Sequence, residues 1–323
     1  MSQKRTNILL KYILATKNKD RRSLIMALCE LCPRKCRVDR SKAKGFCGES
    51  DKIRIARIAP HFFEEPPISG SRGSGTVFFS GCTLRCVYCQ NKDISRTNAF
   101  GKEYSEEELT EAIIKLQQEG VHNINLVTPT HFADKIAEIL YGIKKEGLLR
   151  VPIVYNTSGY ENIETLKQLD GLVDIYMPDL KYFSSELSKK YSSAPDYFER
   201  TVEAIKEMIR QRGAYRYSED PKRKGLLDSG VLIRHLVLPT HRKDSEELLS
   251  RLASEIDVNA VLISIMSQYT PEFALECEYK ELHRRITSFE YEFVKSKAIE
   301  LGFDGFMQAR VSADSAYTPN FKN

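Results

Sequence analysis

Three cysteines lie in the run Gly81-Cys82-Thr83-Leu84-Arg85-Cys86-Val87-Tyr88-Cys89-Gln90-Asn91. The C-x3-C-x2-C spacing offers three thiolates from one short loop, whereas a cubane iron–sulfur cluster with a full protein shell takes four. Three ligands leave one iron open, and an open metal position is where a substrate or cofactor binds. The plain alternative is three buried cysteines close by chance. Against it, seven of the eight cysteines fall between positions 29 and 89.

A second group, Cys29, Cys32, Cys36 and Cys47, is spaced C-x2-C-x3-C-x10-C, with Gly45 and Gly48 framing its last member. Four thiolates in so short a segment close either a zinc tetrahedron or a second 4Fe–4S cluster. The close triplet is nearer to ferredoxin runs than to the separated pairs of a zinc ribbon. A metal-free knot is disfavoured, because a segment this poor in apolar periodicity needs a staple. The expectation is an accessory metal that shields or feeds the main cluster. Cys277 stands alone and reads as a core residue.

Composition fits a cytoplasmic metalloprotein. The chain has 323 residues, enough for one large domain with an appendage or for two ordinary ones. Its apolar share of 41% and charged share of 29% are those of a soluble globular protein. No apolar run approaches the ~18 residues that cross a bilayer, and no signal-peptide core follows Met1. Crowded cysteines without an export signal read as metal ligands rather than disulfides. The net charge of +5 is modest. Residues 1–24 form a basic tail, read as a solvated, partly helical stretch; an RNA-binding role for it is the minority reading.

The elements that must position the cysteines follow. Residues 25–70, the expected accessory metal segment, show little helical or strand periodicity. From about Thr76 short apolar runs alternate with amphipathic stretches, the pattern of a parallel sheet. Strands are expected at Thr76–Ser80, Asn123–Val127, Pro152–Asn156, Val173–Met177, Leu232–Leu238 and Val261–Ile265. Ser105 with Glu108 forms a capping box for a helix with Leu109, Ala112, Ile113 and Leu116 inward, ending at Gly120. Phe132, Ile136, Leu140 and Ile143 line a second helix. Asp244 with Glu247 is expected to cap a third, with Leu248, Leu249, Leu252 and Ile256 inward. Tyr279, Leu282, Ile286, Phe289 and Phe293 suggest a last long helix. Six strands are too few for a closed eight-stranded barrel and suit an α/β partial (β/α)6 barrel over residues 71–310, with a short tail at 311–323. Reactive groups in such barrels gather at the C-terminal strand ends, and the cysteine triplet follows the first strand.

The other strand ends carry Thr128-Pro129-Thr130-His131, Asn156-Thr157-Ser158-Gly159, Pro178-Asp179-Leu180-Lys181, Arg234-His235 with Pro239-Thr240-His241, and Ser267-Gln268-Tyr269. Each alone is an ordinary cap or turn; Asp179 and Lys181 could simply pair at the surface. Together they make a rim of donors, acceptors and charges suited to a ligand with a carboxylate and a ribose.

On Leu28-Cys29-Glu30-Leu31-Cys32-Pro33-Arg34-Lys35-Cys36, Ser74 to Cys82, Asp174 to Lys181 and Leu232 to Pro239, the chain resembles the pyruvate formate-lyase-activating-enzyme-related branch of the radical S-adenosylmethionine (SAM) superfamily. The resemblance runs from Cys29 to the final helix. It implies a 4Fe–4S cluster on Cys82, Cys86 and Cys89, with SAM as cofactor on the open iron. Asp179 and Lys181 would lie near the SAM ribose and carboxylate, Asn156 and Ser158 would supply third-strand contacts, and Tyr88 would lie against the adenine. Thr128 and Arg234 complete the expected cofactor wall. The implied reaction is reductive cleavage of SAM to a 5′-deoxyadenosyl radical that takes hydrogen from a substrate. That substrate would be a glycine of a glycyl-radical enzyme or another protein, with flavodoxin or ferredoxin as electron donor. Rival readings are radical modification of a small molecule or RNA, and a non-catalytic iron–sulfur or zinc module. One departure stands out. Thr128-Pro129-Thr130-His131 replaces the family's Gly-Gly-Glu-Pro-like segment, so the glycine-permitted backbone is expected to be lost. His131 is equally a substrate contact or a helix cap.

Overall fold

The computed structural model describes residues 28–96, 99–307 and 321. The basic tail expected over 1–24 lies outside the described residues, as does the 311–323 tail apart from Phe321. The strands are β1 (Ile53–His61), β2 (Ser74–Phe79), β3 (Lys102–Tyr104), β4 (Ile124–Val127), β5 (Ile153–Thr157), β6 (Ile175–Pro178), β7 (Arg216–Tyr217), β8 (Leu227–Leu236), β9 (Val261–Met266) and β10 (Asp304–Met307). They form one sheet ordered β10-β9-β8-β6-β5-β4-β2-β1-β3, with β7 paired to β8.

The run from β2 to β10 is parallel throughout. All six expected strands are present, with shifted ends, and the sheet is the expected α/β partial barrel. Every residue of β2, β4, β5, β6 and β9 is buried, because helices cover one face and the barrel interior the other.

Two strands extend this pattern. β10 continues the parallel run beside β9. Residues 53–61, where no element is expected, form β1, antiparallel to β2. Its Ile53-Arg54-Ile55 alternation gives way to a register shift between Ile55 and Arg57, which breaks the period-two signal.

The helices are α1 (Pro66–Ser69), α2 (Lys92–Ser95), α3 (Glu106–Gln118), α4 (Ala133–Lys145), α5 (Ile163–Lys167), α6 (Ser185–Ser192), α7 (Tyr197–Arg212), α8 (Arg242–Glu255) and α9 (Ser288–Glu300). The Ser105–Glu108 capping box forms and opens α3. On α4, Ile136, Leu140 and Ile143 are buried as expected. α8 differs. It starts after His241 with no side-chain cap, because the Asp244 carboxylate instead accepts from the N–H groups of Phe183 (3.1 Å) and Ser184 (2.7 Å). The expected last helix also begins later. Lys280–Leu282 is a single 3₁₀ turn, and α9 starts after Thr287, which forms a capping box with Glu290. Phe289 is then exposed rather than inward. No helix among the described residues is long and apolar enough to cross a membrane.

Candidate functional site

The cysteine triplet occupies the connection from β2 to α2. Gly81 turns there with φ +85, and a Cβ would stand 2.6 Å from Glu49 Cγ and 2.7 Å from the Cys47 carbonyl oxygen. Only glycine fits. Each sulfur accepts a hydrogen bond. The Leu84 N–H reaches Cys82 at 3.4 Å, the Ser192 hydroxyl reaches Cys86 at 3.0 Å, and the Ser95 hydroxyl reaches Cys89 at 3.3 Å. Such outer partners orient metal-binding thiolates and stabilise their charge. Burial, reinforced by the neighbouring Cys86, pushes the Cys82 thiol up, and burial with Cys86 and Cys82 pushes Cys89 to about 12. Bare, these thiols hold their protons; a cationic cluster would displace them.

All three cysteines face a cavity of about 230 Å³. Tyr88, Thr128, Asn156, Ser158, Asp179, Lys181 and Arg234 line the same cavity, so one space gathers every residue expected at the main site. No fourth cysteine lines it. The donor set therefore fits a cubane, which these three thiolates would hold with one iron left open, in a cavity that polar residues also line.

That wall is a charged network. Arg234 donates to Asp179 (2.9 Å), Asn156 (2.7 Å) and Glu64 (3.3 Å), and Lys181 donates to Asp179 at 2.6 Å. Asp179 and Lys181 do pair, but inside the cavity rather than on the surface. Burial works to raise the Asp179 carboxyl, yet Arg234 and then Lys181 outweigh it and hold it below the usual carboxylate range. Lys181 remains an ammonium, because Asp179 overcomes the burial that would strip its proton. Its remaining donors are free for an anionic ligand. The Ser158 hydroxyl is buried without a partner among the described residues, an orphan that a ligand hydroxyl would satisfy.

Thr128 holds φ +58. The left-handed backbone expected to be lost with glycine is thus retained by a β-branched residue, where it is strained. Its N–H donates to the Asn156 carbonyl at 2.8 Å, which fixes the bend. Thr128→Gly is expected to raise stability by about 1 kcal/mol while keeping the bend. A melting temperature that falls would show that the threonine side chain outweighs the strain.

His131 is a structural residue. It is buried, does not line the cavity, and its Nε2 lies 2.6 Å from the Ser80 carbonyl oxygen. Burial and then Arg40 push it down to about 3, so it stays neutral. Around Tyr88 the sequence hides a larger feature. Tyr182, Tyr191 and Tyr269 surround its ring at 5.9–6.5 Å. Tyr88 and Tyr182 share a hydroxyl hydrogen bond of 2.6 Å, and Tyr182 and Ser192 one of 2.8 Å, leading to Cys86. Glu64, Tyr182 and Ser192 are among the residues that sequence reasoning missed.

The quartet segment packs against this loop. The Cys82 N–H donates to the Cys47 carbonyl at 3.2 Å. Arg34 donates to the carbonyls of Thr83 and Ser192, each at 2.9 Å. The guanidinium groups of Arg34 (4.1 Å) and Arg85 (4.8 Å) both lie over the Phe46 ring. Within the segment, the Phe46 N–H donates to Cys36 sulfur at 3.2 Å. Burial pushes Cys32 up to about 12, with Cys47, Cys36 and Cys29 adding to it. Among the described residues, no three Cys, His, Asp or Glu side chains form a site for a single metal ion.

The Radical SAM superfamily model matches residues 76–214. The chain is 32% identical over 285 residues to Uncharacterized protein MJ0674 of Methanocaldococcus jannaschii, covering 84% of this chain and 73% of that protein. It is 29% identical over 148 residues to the 7-carboxy-7-deazaguanine synthase of Methanothermobacter thermautotrophicus, covering 44% of this chain and 58% of that protein. SuiB of Streptococcus suis, solved with its precursor peptide SuiA, overlays with a TM-score of 0.45 and 13% identity, covering 71% of this chain and 46% of SuiB. The chain thus spans less than two thirds of the deazaguanine synthase and under half of SuiB. It belongs to the radical SAM superfamily, whose members use a 4Fe–4S cluster and SAM.

Proposed function

We propose that the chain is a radical SAM enzyme whose cluster is held by Cys82, Cys86 and Cys89 and whose hydrogen donor is a backbone glycine of a protein or peptide. The observation that carries the first part is the shared cavity, lined by the three cysteines together with Asn156, Ser158, Asp179 and Lys181. When bound, cluster and SAM supply one-electron bond cleavage and hydrogen-atom abstraction. The residues do the rest. Lys181 offers an ammonium to a carboxylate. Asp179, Asn156 and Ser158 offer acceptors and donors to ribose hydroxyls. Arg234 positions Asp179 and Asn156, since its own donors are engaged by them and by Glu64. Tyr88, 6% exposed, closes the wall and excludes water.

Support for the glycine reading comes from the exposed Phe63 on the cavity lining, an apolar contact for a peptide presented there. The second reading is a small heterocyclic substrate, supported by the similarity to the deazaguanine synthase.

Anaerobic reconstitution with iron and sulfide, then SAM and dithionite, is expected to yield 5′-deoxyadenosine and a spectrum that changes on SAM addition. A spectrum indifferent to SAM, with no deoxyadenosine, refutes the enzyme reading. With Cα-deuterated glycine peptides, label is expected in deoxyadenosine. Label arriving only from a deazapurine precursor selects the second reading.

A further inference from the structure

We infer that Gln90, Asn91 and Gln268 are the substrate-recognition residues of the cavity, and that they grip a neutral amide beside the carbon that gives up hydrogen. This rests on the radical SAM reading proposed above and names how the same cavity holds its substrate. Three observations carry it. First, the polar side chains of the cavity divide into two sets. Those on or just after β5, β6 and β8 are committed to one another, Arg234 to Asp179 and Asn156, and Lys181 to Asp179. The carboxamides of Gln90, Asn91 and Gln268 line the same cavity without such commitment. Among the described residues, Gln90 Oε1 and Gln268 Oε1 accept no hydrogen bond, and the Asn91 side chain makes none.

Second, the fold brings these three together. β2 and β9 are separated in the sheet by β4, β5, β6 and β8. Gln90, directly after the last cysteine of the triplet, spans that separation. Its Nε2 donates to the Gln268 carbonyl at 3.2 Å and to the Thr270 hydroxyl at 3.3 Å. Lys92 pairs with Glu276 at 3.2 Å and ties the same two segments. Gln268 Nε2 in turn donates to the Met266 sulfur at 3.6 Å, which holds that carboxamide. The cysteine loop and the connection after β9 are thereby joined, with the free amide oxygens at the join.

Third, the chemistry is that of an amide. None of the three side chains carries a charge to compensate a carboxylate or phosphate. Each has an acceptor oxygen and an N–H donor, the two functions of a peptide group. Leu236 and Met266 line the cavity with them and supply apolar surface for the carbon between two such groups. A glycine has no side chain to read, so its backbone amide is what a site can hold.

The test uses the reconstituted full chain and Cα-deuterated glycine peptides in two forms. One has the amide N–H at the labelled residue; the other has an ester oxygen in its place. In the parent the ester is expected to lower kcat/KM for label transfer to deoxyadenosine roughly fivefold. Gln268→Met and Asn91→Leu are each expected to lower it by a similar factor on the amide peptide. At least one of them should show little further loss on the ester, because both changes remove the same contact. Losses that multiply in both variants overturn the proposal, as does a parent indifferent to the ester. Should one variant fail to fold, the other decides. Label from a deazapurine precursor but from no glycine peptide refutes the glycine reading alone. An N-methylated precursor then takes the place of the ester in the same cycles, with the same outcomes deciding. Label from neither overturns both.

Discussion

Cys86→Ala is expected to reduce deoxyadenosine formation by about a thousandfold or more, to background, and to lower bound iron by about four atoms per chain. Two ligands cannot hold a cubane whose third corner is lost. Cys86 is also the least exposed residue of the three, at 7%, and its sulfur receives the Ser192 hydroxyl at the end of α6. Ser192→Ala provides the graded comparison. It leaves all three thiols and removes one hydrogen bond, so cluster content should persist while the reduction potential falls, because charge on Cys86 is less well stabilised. Iron analysis and deoxyadenosine assays under anaerobic reduction check the first expectation. Iron retained at the parent level in Cys86→Ala would show that the triplet is not the cluster site.

The largest expected loss of stability is at Arg234. Arg234→Met leaves Asp179, Glu64 and Glu65 around a vacated cation, with Lys181 reaching only Asp179. Breaking a buried network from one side costs about 3–5 kcal/mol, read as a shift in urea midpoint. The pH dependence has a definite sign. Burial already pushes Glu65 up to about 7 and raises Glu64, and Arg234 is what restrains both. Without it their folded-state pKa values climb further. Folded protein then keeps protons that the unfolded chain releases above the ordinary carboxylate value of about 4.3, so stability drains away as pH rises. The variant's deficit should be larger at about pH 8 than at about pH 5. An equal deficit at both would mean that lost packing, not charge, is the cause.

How much of this was legible in the sequence depended on distance along the chain. The triplet and the strand-end residues were visible because a parallel sheet buried on both faces prints apolar runs, each followed by its polar rim. Asn156, Asp179 and Arg234 follow that grammar. Glu64 does not: a carboxylate before Pro66-Pro67 reads as a surface residue, and its place in the cavity is set by Arg234, 170 positions later. Ser192 was equally hidden, since nothing local distinguishes a helix-terminal serine that meets a cysteine 106 residues away. The late start of α9 is legible in Thr287-Ser288-Phe289-Glu290, a capping box, while the helix-like spacing of Tyr279, Leu282 and Ile286 just before it belongs to a 3₁₀ turn and a loop. β1 was obscured by its bulge. The strain at Thr128 could not be read at all, because the residue type argues against the backbone it adopts.

The ring of tyrosines around Tyr88 carries a practical consequence. The chain contains no tryptophan and 16 tyrosines, so its near-ultraviolet fluorescence belongs to phenols. Several of the most deeply enclosed ones, Tyr182, Tyr191 and Tyr269, sit beside the cysteine loop. Iron–sulfur absorption overlaps that emission, so a cluster nearby would quench it by energy transfer. Dimming of the phenol signal should therefore track filling of the loop in real time, giving an optical gauge that needs no label.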